Sequence, residues 1–103
     1  MAIIDLSITN EYPSVTTTAS VPTTQQAYSL PSNARKLTVG GIAASYLIVS
    51  GVSDGAAVPT DKISIPANQL IELELPAGNQ QRITTFAAAA QAATTTITVI
   101  LEA

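Results

Sequence analysis

The chain has 103 residues, a length that suits one domain, and only 11% are charged, against the roughly 25% of ordinary soluble proteins. The net charge of −3, with only four basic residues, argues against nucleic-acid binding, which needs a basic patch. The absence of cysteine and histidine excludes disulfides, thiolate chemistry, His-ligated metal sites and Ser-His-Asp triads.

Residues 1–27 are predicted to form a strand followed by an extended arm or an edge strand. Near the start, Ile4, Leu6 and Ile8 alternate with more polar residues, which is the pattern of a half-buried strand. The Thr- and Ser-rich stretch that follows contains two prolines, and proline is excluded from central strands and from helix interiors. We therefore expect an exposed edge strand around 15–20, or an extended arm.

Residues 28–103 are predicted to form the body of the domain, a set of short strands separated by turns. Residues 44–50 are apolar on both faces, as expected of an interior strand. The other inward side chains fall at alternate positions: Leu37 and Val39, Ile63 and Ile65, Ile71, Leu73 and Leu75, and Ile97, Val99 and Leu101. The turn signals are Pro31–Ala34, Ser53–Gly55, Pro66–Asn68 and Pro76–Asn79. This spacing predicts a single antiparallel β-sandwich, jelly-roll-like, with roughly eight strands.

The stretch RITTFAAAAQAATTTITVIL, residues 82–101, distinguishes an all-β domain from an α+β domain. A helix over 86–93 would have about eight residues, below the roughly 12–15 needed for marginal stability. It would also lack a capping box and an amphipathic stripe. We therefore favour a hairpin over the helix, with strands at 82–88 and 94–102 joined by a corner at 89–93.

Gly40 and Gly41 interrupt the strand pattern that begins at Leu37. The Lys-Ser/Thr pair that a phosphate-binding P-loop requires does not follow them. We expect this glycine pair to form a bulge or turn that needs positive φ.

No arrangement of residues indicates catalysis, and we predict that the protein is not an enzyme and holds no cofactor or metal. Glu72 and Glu74 lie two apart on a strand and share a face, whereas catalytic carboxylate pairs flank a bond from opposite sides. We interpret them as solvated charges that discourage pairing between sheet edges. Asp54 and Asp61 bracket a loop with too few oxygen ligands for Ca²⁺, so a turn residue and a strand-start charge are expected.

Contact with other proteins is the expected role of several aromatic and basic side chains. Tyr12, Tyr28 and Tyr46 are either sugar-stacking platforms or residues at the rim of the core with hydrogen-bonded hydroxyls. Basic residues are too few for a patch but can pair with acidic groups of a partner. The candidate protein-interaction residues are Tyr12, Arg35, Lys36, Tyr46 and Arg82.

Association with a membrane is not expected. The longest apolar run, residues 41–49, is far shorter than the roughly 18–20 residues that span a bilayer as a helix. The first residues lack the basic region of a secretory signal.

Four stretches carry a resemblance to a known class of proteins: AYSLPSNARKLTV, ASYLIVSGVSDG, KISIPANQLIELELPAG and ITTFAAAAQAATTTITVIL. Together they cover most of residues 28–101, and this part of the chain resembles small virion proteins of tailed bacteriophages. The resemblance implies a β-sandwich or jelly-roll decoration (cement) protein, made in the host cytoplasm and bound outside the capsid to the major capsid protein. It also implies a homo-oligomer, with a trimer favoured, and no catalytic residues.

Residues 1–27 lie outside this match, and by analogy they would form an arm that reaches the shell or a neighbouring subunit. The alternative hypothesis is a β-sandwich binding module of a phage tail fibre or a cell surface, which recognises a glycan or a host receptor. That module would present clustered, exposed tyrosines.

Overall fold

The computed structural model describes residues 3–8, 14–75 and 83–103, which form nine strands in two sheets. The strands are β1 (Ile4–Asp5), β2 (Ser14–Val21), β3 (Gln26–Ser29), β4 (Lys36–Gly41), β5 (Ser45–Ile48), β6 (Ile63–Ile65), β7 (Gln69–Glu74), β8 (Thr85–Ala90) and β9 (Thr95–Glu102). These residues contain no helix, so the predicted all-β sandwich is confirmed.

The strands pair in a nested order. The five-stranded sheet has the order β1-β3-β8-β5-β6 and the four-stranded sheet has the order β2-β9-β4-β7. Strand β2 pairs with β9, β3 with β8, β4 with β7 and β5 with β6, each pair antiparallel. The chain from β2 to β9 is therefore one long hairpin with β5 and β6 at its tip, and successive pairs alternate between the two sheets.

Strand β1 departs from the predicted antiparallel arrangement. It runs parallel to β3, with Ile4 opposite Tyr28 and Asp5 opposite Ser29, so the five-stranded sheet is mixed. No described strand lies beyond β1, which leaves Ile4 39% exposed. Leu6 and Ile8 are buried in the core, as their alternation predicts.

The core between the sheets is built from the side chains whose alternation predicts it. Leu37 and Val39 on β4 are fully buried, and Ile97, Val99 and Leu101 on β9 are at most 2% exposed. Strand β7 is at an edge, so its inward residues are only half-buried until Leu75. The largest side chains are an aromatic pair, Tyr28 and Phe86, whose rings stack with centroids 5.0 Å apart.

The alanine run forms strand β8, in the middle of the five-stranded sheet. Ala88 and Ala90 face the core, whereas Ala87 and Ala89 face the outer side and pack against Ile48. Both faces are covered, and only small side chains let the two covering layers approach this closely.

The predicted hairpin at this place is wrong, although the absence of a helix is confirmed. Strands β8 and β9 do not pair, because the corner between them carries the chain from one sheet to the other. At the corner, Gln91 donates its backbone N–H to Ala44 O at 3.2 Å, and its Nε2 donates to Ser45 O and Ser64 Oγ, each at 2.9 Å.

Loop 49–62 covers the outer face of the five-stranded sheet. Val52 and Val58 of this loop pack against Ile48 and the outward-facing alanines of β8. This cover explains why β5 is apolar on both faces, as predicted, since Leu47 faces the core and Ile48 faces the loop.

The buried Gln25 ties this loop to the sandwich. Its side-chain Nε2 donates to Ala57 O at 3.0 Å, and its Oε1 accepts the backbone N–H of Ser53 at 3.0 Å. Its backbone N–H donates to Ala56 O, and its carbonyl accepts from Gly55 N, both at 2.8 Å. Four hydrogen bonds to one buried residue therefore connect the loop to the sandwich.

The predicted turn at 53–55 is confirmed within this loop. Ala56 N donates to Ser53 O at 3.1 Å, and Gly55 has φ 80°, which a type II turn requires at its third position. Asp54 accepts the backbone N–H of Ala27 at 3.0 Å through Oδ1, so it is a turn residue as expected.

Two further predicted turns are confirmed, at Pro31–Ala34 and Pro66–Asn68. Ala34 N donates to Pro31 O at 3.2 Å, and Asn68 has φ 61° and donates its N–H to Gly41 O at 2.9 Å. The predicted turn at Pro76–Asn79 lies outside the described residues.

The prediction of a bulge or turn at the glycine pair is wrong. Gly40 and Gly41 continue β4, and the described glycines with positive φ are Gly51 and Gly55. A Cβ on Gly40 would collide with the carbonyl oxygen of Gln69 and lie 2.6 Å from Leu70 Cδ2. Glycine is needed here because β7 approaches the β4 backbone too closely for a side chain.

Candidate protein-interaction surface

The outer faces of the two sheets differ, because loop 49–62 covers the five-stranded sheet, whereas the outward side chains of β2 and β7 in the four-stranded sheet are exposed. We call the outer face of the four-stranded sheet the open face. Its side chains alternate with those of the core and are Ser14, Thr16, Thr18 and Ser20 on β2, Thr96, Thr98, Ile100 and Glu102 on β9, Lys36 and Thr38 on β4, and Leu70, Glu72 and Glu74 on β7.

One half of the open face carries uncharged hydroxyl side chains. The four outward residues of β2 are Ser or Thr, and all four are exposed. On the neighbouring strand, Thr98 lies opposite Thr18 and Thr96 lies opposite Ser20. Hydroxyls can exchange water for partner groups at a far smaller desolvation cost than charges, so this half suits contact with another protein.

The other half of the open face ends in an acidic zone that surrounds one lysine. Lys36 Nζ lies 3.1 Å from Glu72 Oε2 and 3.9 Å from Glu102 Oε1. The hydrogen bond to Glu72 and the charges of Glu72, Glu102 and Glu74 raise the pKa of Lys36. Lys36 is therefore paired within the molecule, and the zone as a whole carries excess negative charge. Glu72 and Glu74 share this outer face on an edge strand, as predicted.

An apolar groove lies at one end of the four-stranded sheet, where Gly41 is part of its lining. The groove has a volume of about 320 Å³ and runs between Leu70 and Thr98, with Ile42 at its end. Ile42 is 80% exposed and Leu70 is 54% exposed, the two most exposed large apolar side chains of the described residues.

The five candidate interaction residues are not gathered in one place. Lys36 is on the open face, whereas Tyr46 is half-buried on the opposite side of the sandwich, with Lys62 Nζ 5.3 Å from its ring centroid. Arg35 is exposed, and its Nη1 donates to Ser32 O at 3.0 Å and to Ala34 O at 3.1 Å. The other two, Tyr12 and Arg82, lie outside the described residues.

Tyr28 is a core residue rather than a rim residue. It is fully buried, and within the described part of the chain its hydroxyl has no hydrogen-bond partner. Burial raises the pKa of Tyr28 to about 12. Tyr28 and Tyr46 do not form the exposed aromatic cluster that glycan binding would need.

The described residues contain neither a cluster suited to a metal ion nor a helix suited to a membrane. Among residues 3–8, 14–75 and 83–103, no group of three or more Asp or Glu is placed to hold a metal ion. No helix long and apolar enough to cross a bilayer occurs in these ranges.

The open face contains residues that the sequence patterns did not single out. The sequence carries a signal for some of them, because hydroxyl side chains follow the two-residue period of a strand face. They occur at every second position of β2 and at Thr96 and Thr98 on β9. The sequence carries no signal for the groove, because the groove depends on the pairing of β4 with β7.

Comparison of the chain with models of protein families, with curated proteins and with solved structures found no match in any of the three. Function is therefore inferred from the fold and from the open face.

Proposed function

We propose that this protein is a decoration (cement) protein of a tailed-bacteriophage capsid, which binds the outside of the head and contacts the major capsid protein. The open face carries this proposal. It is an entire sheet face with uncharged hydroxyls over one half, on a sandwich whose opposite face is already covered by its own loop. Such a body fits a protein that acts by contact alone.

The strand order supports a jelly-roll assignment for β2 to β9. A jelly roll has eight strands and two Greek keys, and the nested pairs described above have the order of a long hairpin rolled into two sheets. Viral capsid proteins and lectins both use this arrangement. The burial of Tyr28 and the partly covered ring of Tyr46 favour the capsid role over the glycan-binding alternative.

A clamp between capsomers needs a rigid body and many weak contacts. Rigidity comes from the two sheets and from the hydrogen bonds of Gln25 to loop 49–62. Weak contacts become strong when several copies act together, because each later contact forms at high effective concentration. We therefore include self-association in the proposal.

Cryo-microscopy of the virions whose genome encodes this chain tests the proposal. We expect density for a nine-stranded sandwich on the outside of the head, with the open face towards the shell. Density only on the tail would favour the binding-module alternative, and its absence from the particle would refute both.

Binding of the purified protein to shells that lack it tests the role of the open face. Thr98→Arg places a large charged side chain among the hydroxyls of β2 and β9, so we expect a loss of binding of tenfold or more. Ser50→Arg makes the same addition at an exposed position of loop 49–62, on the other side of the sandwich, and should leave binding unchanged. Equal binding by the two variants would refute the assignment of the open face.

A further inference from the structure

The edge strands of the two sheets differ in their protection against pairing with other chains. Edge strands that avoid such pairing are short, charged or interrupted by proline. Strand β1 has two residues, one of them Asp5, and β6 has three residues and follows Lys62. Strand β7 carries Glu72 and Glu74.

Strand β2 has none of these protections within its own length, and prolines occur only at its two ends, Pro13 and Pro22. It has eight residues, SVTTTASV, without a charge or a proline, and among the described strands only β9 pairs with it, on one side. Val15, Thr17 and Ala19 point towards the core but remain half-buried, because no described strand lies beyond them. A neighbouring strand would cover these side chains and satisfy the free backbone groups of the edge.

We propose that β2 is a self-association edge, at which the β2 strands of two copies pair antiparallel across a twofold axis. The two four-stranded sheets then form one continuous sheet. The proposal goes beyond the decoration function and does not rest on it, and it predicts a dimer in place of the trimer that the resemblance favours.

The alternation of β2 restricts how the two copies can pair. Residues opposite each other in an antiparallel pair point to the same face, so an outward residue must lie opposite an outward residue. The twofold axis must then pass through a residue, either Thr17 or Thr18. When it passes through Thr17, Ser14 lies opposite Ser20, Val15 opposite Ala19 and Thr16 opposite Thr18.

These pairs are compatible in size and charge. Pairs of Thr and Ser across strands can hydrogen-bond, and the inward pairs extend the apolar core across the junction. Seven opposed residue pairs give about seven backbone hydrogen bonds, since antiparallel ladders average about one per pair. The same operation at β7 would bring Glu72 and Glu74 of the two copies together, and like charges on facing strands are destabilising.

The mass of the protein in solution is the first test. Light scattering or sedimentation across a concentration series should approach about 21 kDa, twice the 10.6 kDa chain. The double variant Thr16→Lys/Thr18→Lys should remain monomeric, because either axis position places lysines opposite each other. Thr96→Lys/Thr98→Lys adds the same charges to the same face on an interior strand, and it should still dimerise.

Three outcomes would overturn the proposal. They are a wild-type monomer at every concentration, a trimer, or equal loss of dimer in the two lysine variants. Both lysine variants should fold, because all four substituted side chains lie on the outer face and none belongs to the core. Circular dichroism of each variant verifies this.

Cysteine cross-linking is the second test. Because the sequence has no cysteine, each single-cysteine variant carries only the introduced thiol. Facing residues at an antiparallel junction have Cα atoms about 4.5–5.5 Å apart, which a disulfide can span. Thr17→Cys or Thr18→Cys, whichever lies on the axis, should form a covalent dimer under mild oxidation, several-fold faster than Leu70→Cys on the exposed edge β7. Equal cross-linking of Leu70→Cys would indicate random collision and overturn the proposal.

Discussion

The hydrogen bonds of Gln25 predict that this one amide stabilises the sandwich far more than its size suggests. Gln25→Ala removes two side-chain hydrogen bonds and leaves Ser53 N–H and Ala57 C=O without their partners. A typical hydrogen bond contributes a net 0.5–1.5 kcal/mol, so the two bonds together contribute about 1–3 kcal/mol. The side chain is 1% exposed, so a small cavity adds to the loss. We expect a decrease of about 2–4 kcal/mol in the free energy of unfolding.

Gln91→Ala is the matched control. This amide also makes two side-chain hydrogen bonds, to Ser45 O and Ser64 Oγ, but it is half-buried and one of its partners is an exposed hydroxyl. Water can replace the bond to Ser64 Oγ, which leaves the bond to Ser45 O as the main loss, so we expect only about 0.5–1.5 kcal/mol.

Urea unfolding followed by circular dichroism measures both losses. For a domain of this length, about 2–4 kcal/mol lowers the melting temperature by about 10–25 °C. Gln25→Ala should also accelerate amide hydrogen exchange at Ser53, whose N–H loses its acceptor. Equal losses in the two variants, or a loss below about 1 kcal/mol for Gln25→Ala, would refute the inference that Gln25 holds the loop in place.

Three other predictions concern packing and ionisation. Gly40→Ala should cost about 1–3 kcal/mol in urea unfolding, because the new methyl group meets the backbone of β7, and an unchanged midpoint would contradict the close approach. Ala89→Leu overfills the space beneath loop 49–62, so we expect a loss of similar size and faster proteolysis within the loop; intact packing would leave both unchanged. The neutral Tyr28 phenol keeps its proton to about pH 12 in the folded state but loses it near pH 10.0 when unfolded. Its contribution to stability is therefore complete below pH 10 and lost as the pH rises towards 12, by up to about 1.4 kcal/mol per pH unit. Tyr28→Phe should remove this decline, and a Phe variant that loses stability equally over that range would contradict it.

Much of the fold could be predicted because alternation is a local signal. The inward positions of β4, β6, β7 and β9 follow from a period of two, and each is buried or half-buried where predicted. The turns at 31–34, 53–55 and 66–68 follow from the preferences of Pro, Asn, Asp and Gly for turn conformations. The preference for extended structure over a helix in the alanine run is also confirmed, and it rested on the shortness of the run and its lack of an amphipathic face.

The errors arose where pairing between distant residues determines the structure. The corner after β8 has the same local pattern whether the next strand pairs with β8 or crosses to the other sheet, so a hairpin was predicted. Gly40 was interpreted through positive φ, but the constraint comes from Leu70 and Gln69, thirty residues away in the sequence. The open face was missed for the same reason, since it comprises residues of four strands that only the sheet order places together.

The nested pairing also determines when this chain can fold during synthesis. Of the nine strands, β9 leaves the ribosome last, yet it occupies an interior position between β2 and β4. Until β9 emerges, no described strand pairs with β2 and only β7 among them pairs with β4, so the four-stranded sheet cannot form in stages from the amino end. A nascent chain that stalls before residue 95 therefore exposes unpaired β2, the least protected of the described edges, and rapid synthesis through β9 protects it from aggregation.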